Sequence, residues 1–184
     1  MLEKRPAFSA AATDGPIRRL PPASRLSLRV WDDGAGALPM AAGLSLGLPI
    51  NRFSERDGRL AARLAPDEWL IVGAAGEAGT LCAEFTAALA GRVHSLVDVS
   101  QASTAFALDG SDVANILNAG CPLDLDKRSF PAGSVTRTVL AKCEIILFRL
   151  SEFGFRAECA RSFGEYARAF LLEAAELNAT PGEH

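Results

Sequence analysis

Two aspartates flank a leucine in Asp124-Leu125-Asp126, and Lys127 and Arg128 follow at once. Carboxylates this close can hold a cation or share acid–base work. The adjacent cations suggest local ion pairing instead. Asp98 and Ser100 close Val97-Asp-Val-Ser100 at a strand end. They can accept from a polar ligand, or they can satisfy backbone donors in a turn. Asp67 and Glu68 stand beside Trp69 at a turn and read as turn chemistry. His94 lies inside a strand, on the face shared with Leu96. The only other histidine is the terminal His184, so a histidine-based metal pair or a Ser-His-Asp triad has almost no material. Cys82, Cys121, Cys143 and Cys159 are separated by 39, 22 and 16 residues. No CxxC spacing exists, and their apolar neighbours mark them as small buried hydrophobes. Gly73-Ala-Ala-Gly76 joins a strand to a helix, which is the general geometry of an anion site. It lacks a third glycine and a downstream acidic ribose contact. There is no GxGxxG after a strand, no GxxxxGK[ST] and no GxSxG. The residues therefore assign no catalytic, cofactor-binding or metal-binding position.

The elements that position these groups follow from apolar periodicity. Residues 1–24 hold Pro6, Pro16, Pro21 and Pro22, which forbid continuous helix, and are expected as an extended arm. One domain over 25–178 is expected from two blocks, 25–100 and 101–178, with 179–184 a frayed tail. In the first block, strands are expected at 25–31, 59–64, 68–73 and 93–99. A short helix is expected within the Gly/Ala/Pro-rich 34–49 and a longer one at 77–90. The second block has strands at 104–108, 135–141, 144–150 and 153–159. Its helices are one over 112–118 capped by Ser111 and one opening on Ser162-Phe-Gly-Glu165, a capping-box pattern. The fold class is α+β, two split-βαβ, ferredoxin-like blocks with antiparallel sheets and helices on one face of each.

Composition agrees with a folded chain. Of 184 residues, 49 % are hydrophobic and 22 % charged, enough to bury a core and to exclude disorder through most of the length. The net charge of −3 disfavours a basic nucleic-acid binder. The N-terminus has no apolar signal-peptide core. The longest strongly apolar run, Ile145–Phe148, is four residues, so no membrane span is expected. A reduced, cytoplasmic protein is the expectation.

Four stretches resemble the gamma subunit family of heterotetrameric sarcosine oxidase: Leu64-Ala-Pro-Asp-Glu-Trp-Leu-Ile71, Leu96-Val-Asp-Val-Ser-Gln101, Asn118-Ala-Gly-Cys-Pro-Leu-Asp-Leu-Asp126 with Phe130 to Lys142, and Arg161-Ser-Phe-Gly-Glu-Tyr166. Gly120-Cys-Pro-Leu-Asp-Leu125 is the most specific. A broader pattern resembles the folate-binding aminomethyltransferase of glycine cleavage. The resemblance implies an aminomethyltransferase-like fold and a non-catalytic assembly role. The partners it implies are alpha, beta and delta subunits, with FAD, FMN, NAD and tetrahydrofolate held by alpha and beta. Where catalytic aminomethyltransferases carry Asp-Asp before a strand, the comparable stretch from Val139 offers only Glu144. A stand-alone folate-binding one-carbon transfer protein, or the equivalent subunit of another N-methyl amino acid dehydrogenase, is the alternative.

Overall fold

Alternating apolar residues put more of the chain into strands than into helices. The computed structural model describes residues 15–31 and 38–179. In chain order the elements are β1 (Ile17–Arg19), β2 (Ser24–Val30), β3 (Met40–Ala41), β4 (Leu44–Ser45), β5 (Arg52–Arg56), β6 (Arg59–Ala65), β7 (Glu68–Gly73), α1 (Ala78–Ala88), β8 (His94–Asp98), β9 (Ser103–Asp109), α2 (Val113–Asn118), β10 (Val135–Leu140), β11 (Cys143–Arg149), β12 (Gly154–Ala160) and α3 (Gly164–Ala179). The chain divides into two compact units. One is Pro22–Gln101; the other joins 102–179 to the segment ending at Pro21.

The first unit is an antiparallel sheet in the order β5-β6-β7-β2-β8. The β7–α1–β8 passage sets its two strands on either side of β2, a split β–α–β arrangement. Leu26, Leu28 and Val30 alternate inward on β2 and meet Ala61, Trp69 and Ile71 on neighbouring strands. Leu81, Phe85 and Leu89 recur every four residues on the helical side and close this core. The Trp69 indole N–H donates to the Leu46 carbonyl at 3.2 Å, which pins the β3–β4 segment over the sheet.

The second unit is an antiparallel sheet in the order β1-β9-β12-β11-β10. Here two strands, β12 and β11, lie between β9 and β10. Phe155, Ala157 and Cys159 face a core shared with Phe106, Leu108, Ile145 and Leu147. Val113, Ile116 and Leu117 of α2, with Ala167, Leu171 and Ala174 of α3, pack on the same side. Arg156 and Glu158 take the opposite face, as alternation requires, yet both are buried. Arg156 Nε donates to Glu158 Oε1 at 2.9 Å.

Several expectations need correction. No helix forms in 38–49; β3 and β4 make a two-stranded ladder there, and 34–37 lie outside the described residues. Strand β5 was not expected. Its signal is Asp57-Gly58, both at positive φ (50° and 83°), the two-residue hairpin turn that Asp-Gly favours. The segment read as an arm contributes edge strand β1, because Ile17–Arg19 find an open ladder on β9; residues 1–14 and 180–184 lie outside the described residues. Ser111 caps nothing, since Asp112 occupies the N-cap without a side-chain bond. The capping box does not form. Ser162 sits inside a 3₁₀ turn, Arg161–Phe163, and Glu165 instead receives Arg19 Nη1 at 2.7 Å.

Candidate functional site

The paired aspartates sit in the loop between α2 and β10. Asp124 Oδ1 accepts the Asp126 N–H at 2.9 Å and Asp124 Oδ2 accepts the Ser129 hydroxyl at 2.6 Å. Asp126 Oδ1 accepts the N–H of Arg128 at 2.9 Å and its Nε–H at 3.0 Å. These are consecutive Asx turns, with each carboxylate spent on the chain two residues on. Both carboxyls are held below the usual aspartate range. For Asp124 the Ser129 hydroxyl is the main cause; for Asp126 it is the Arg128 backbone N–H. A depressed pKa stabilises the fold above the unfolded value of 3.8 and loses that contribution as pH falls through the lower folded value. Asp124→Asn is therefore expected to flatten the acid limb of a stability–pH curve below about pH 4. Denaturant midpoints measured at descending pH check this.

The loop is anchored by a residue the sequence pattern did not single out. Arg149, buried at the end of β11, donates through Nη1 to the carbonyls of Leu125 and Phe130, each at 2.9 Å. It donates through Nη2 to Glu152 O at 2.6 Å and through Nε to Ser151 O at 3.3 Å. Its guanidinium lies over the Phe155 ring, 5.0 Å from the centroid. Its backbone continues the anchoring: Arg149 N–H donates to Ser134 O, and Arg149 O accepts from Gly133 N–H, both at 2.9 Å. A planar fork with five donors suits this task, because it meets several carbonyls at once. A cavity of about 230 Å³ lies beside it, lined among others by Leu125, Asp126, Lys127, Arg149, Phe153 and Phe155. Lys127 pairs with Glu152 there at 3.3 Å. The cavity is smaller than the roughly 300–1,000 Å³ of pockets that enclose cofactor-sized ligands.

The other candidates do not join this loop. Ser100 Oγ donates to Asp98 Oδ1 and accepts the Arg25 N–H at 2.9 Å, closing the β2–β8 ladder. Arg29 bridges Asp67 (3.0 Å) and Glu68 (3.2 Å). His94 Nδ1 lies 2.9 Å from Arg92 O. At the Gly73–Gly76 turn, the Ala74 N–H donates to Glu77 Oε2 at 2.9 Å, so the chain's own carboxylate occupies the anion position. Arg59 reaches the same carboxylate at 3.2 Å and also Glu84 at 2.9 Å. Glu144 is exposed on β11 opposite Val139. Among the described residues no group of three or more His, Cys, Asp or Glu side chains is placed to hold a metal.

Cys121, Cys143 and Cys159 are buried in the second core, and Cys82 is half-buried on α1. Burial pushes the Cys143 thiol up and the Cys159 thiol up to about 12. A thiol-specific disulfide reagent at pH 8 is expected to modify Cys82 in the native chain and the other three only after unfolding. Mass spectrometry of the adducts checks this. Raised thiol values stabilise the fold below the unfolded value of 9.0. That contribution is lost as pH climbs through the folded one.

Comparison with known proteins places the chain in a family. The model of the sarcosine oxidase, gamma subunit family matches residues 32–176. The chain is 29 % identical over 181 residues to sarcosine oxidase subunit gamma of an Arthrobacter species, covering 95 % of this chain and 88 % of that one. It is similar to a chain of heterotetrameric sarcosine oxidase from Corynebacterium sp. U-96, solved with pyrrole 2-carboxylate. The TM-score is 0.81 at 25 % identity over 91 % of this chain and 87 % of that one. The glycine cleavage aminomethyltransferase T of Bartonella henselae shares the fold at TM-score 0.57 and 16 % identity, over 85 % of this chain and 45 % of that one. With the family model spanning most of its length, the chain belongs to the sarcosine oxidase gamma subunit family.

Proposed function

We propose that this chain is the gamma subunit of a heterotetrameric sarcosine oxidase and acts as a non-catalytic assembly subunit. The family match supports the subunit identity, and the Arg149 clamp supports the non-catalytic role. The segment most specific to the family, Gly120 to Leu125 and onward to Phe130, is held by a guanidinium that spends its donors on backbone carbonyls. The two aspartates beside it are spent on turns. The family signature thus reads as fold maintenance rather than as acid–base machinery.

In this reading alpha, beta and delta subunits complete the complex. The alpha and beta subunits carry FAD, FMN, NAD and tetrahydrofolate, and this chain binds none of them. The complex oxidatively demethylates sarcosine and passes the one-carbon unit to tetrahydrofolate in the cytoplasm. No helix among the described residues is long and apolar enough to cross a membrane.

Co-expression tests the proposal. With the other three subunits, this chain should co-purify in a stoichiometric complex, and omitting it should lower the yield of assembled, active oxidase. Micromolar binding of tetrahydrofolate by the isolated chain, or full assembly and activity without it, would overturn the assembly role.

A further inference from the structure

We infer that the outer edge of β8 is a docking edge, to which an extended segment of another subunit of the complex adds as a strand; this rests on the assembly reading above. β8 is the last strand of its sheet. The ladder bonds Trp31 N–H to Val93 O (2.9 Å) and Val99 N–H to Arg25 O (2.8 Å) fix the phase of the β2–β8 pairing. With Arg29 opposite Ser95 and Ser27 opposite Val97, the hydrogen-bonded pairs fall at 93, 95, 97 and 99. The backbone N–H and C=O groups of His94, Leu96 and Asp98 therefore point away from β2. Among the described residues no strand receives them.

Natural edges are protected by lysine, proline, bulges or covering loops. Residues 93–98 contain neither lysine nor proline, and the register across β2–β8 runs without a bulge. On the face away from α1 the edge carries Val93 (76 % exposed) and Val97 (52 %), with Trp31 (69 %) directly across from Val93. Apolar surface beside an open backbone edge is what strand addition uses: the main chain supplies affinity and alternate side chains supply specificity. Charge narrows the occupant further. Asp98, at the end of the edge, is exposed, and its carboxyl is held below the usual range chiefly by the Ser100 hydroxyl. The segment that fits is extended and about five residues long. It is apolar where it covers Val93 and Val97, and bears a lysine or arginine opposite Asp98.

Amide hydrogen exchange on the complete complex and on the isolated full chain reads this directly. In the isolated chain the amides of His94, Leu96 and Asp98 should exchange fast, while those of Ser95 and Val97 exchange slowly. In the complex the three fast amides should become protected. Two variants supply an independent arm. Val93→Lys with Val97→Lys charges the exposed face. Leu96→Pro removes an outward N–H that the sheet does not use. Each should fold, as circular dichroism will show, and lower affinity for the co-expressed subunits by about tenfold or more. Unchanged fast exchange at 94, 96 and 98 in an assembled complex would sink the docking edge while leaving the assembly role intact. So would wild-type co-purification by the folded lysine variant. Protection that appears only with a concentration-dependent homodimer of this chain would assign the edge to a second copy and overturn the proposal. Failure of the wild-type chain to assemble at all would remove the assembly reading itself.

Discussion

Replacing Arg149 by methionine is expected to lower the unfolding free energy of the full chain by about 3–5 kcal/mol, a loss reserved for broken buried networks. The substitution keeps the volume of the stem over Phe155 but removes every donor. The carbonyls of Leu125, Phe130, Ser151 and Glu152 then lose their partner. Unsatisfied buried acceptors cost about 1–3 kcal/mol each where water cannot replace the donor. Water reaches the exposed Ser151–Glu152 turn and reduces its share. Lysine at 149 should recover less than half of the loss, because one ammonium cannot satisfy two pairs of carbonyls on opposite sides. Denaturant unfolding monitored by tryptophan fluorescence and by circular dichroism measures this. A drop below about 1 kcal/mol for methionine would show that the loop is held by its apolar residues, Leu125 and Phe130, rather than by the guanidinium. The expected structural signature is faster amide exchange through 124–134 at unchanged exchange in the first unit.

Gly120→Ala is the second large effect, with an expected cost of about 1–3 kcal/mol from overpacking. A Cβ at 120 would stand 2.5 Å from Phe170 Cζ and 2.9 Å from the backbone nitrogen of Ala141. The ring is the end of a side chain and can turn aside. The backbone cannot, because the Ala141 N–H donates to Gly120 O at 2.8 Å and fixes the approach of the α2 end to the β10–β11 hairpin. Ala141 itself holds φ at 52° in that hairpin, which leaves it little room to yield. A double-mutant cycle with Phe170→Leu separates the two contacts. The leucine should relieve part of the alanine penalty and leave the backbone part. Full rescue would place the whole clash on the ring.

Much of the fold is legible locally. The alternation of Leu26, Leu28 and Val30, or of Phe155, Ala157 and Cys159, needs only the two-residue period of a strand to face the core. The spacing of Leu81, Phe85 and Leu89 needs only the period of a helix. The Asp57-Gly58 turn was equally readable and marks β5. The capping box was not, although its letters are present. Ser162 and Glu165 bid for the helix start, but Arg19, far away in sequence and near in space, takes the glutamate. Local capping gives at most about 1–2 kcal/mol, so a distant ion pair and a 3₁₀ turn can displace it.

The candidate site divides the same way. The neighbouring cations of Asp124 and Asp126 foretold local pairing, which Asp126 makes with Arg128 at 3.0 Å, whereas their Asx turns emerge only in the structure. Arg149 carries no such mark. It lies 24 residues from Leu125 and 19 from Phe130, inside a strand that reads as plain alternation. By itself the sequence determined the long strands and helices of both units and the scarcity of histidine, but not β1, β3, β4 or β5, and its Gly-Cys-Pro-Leu-Asp-Leu segment carried the family resemblance. Only the tertiary structure decided that this segment is gripped by a buried guanidinium, and that β8 ends its sheet with no further strand beside it among the described residues. Both depend on which strands become neighbours, and strand order is set by packing across the whole sheet rather than by any local spacing.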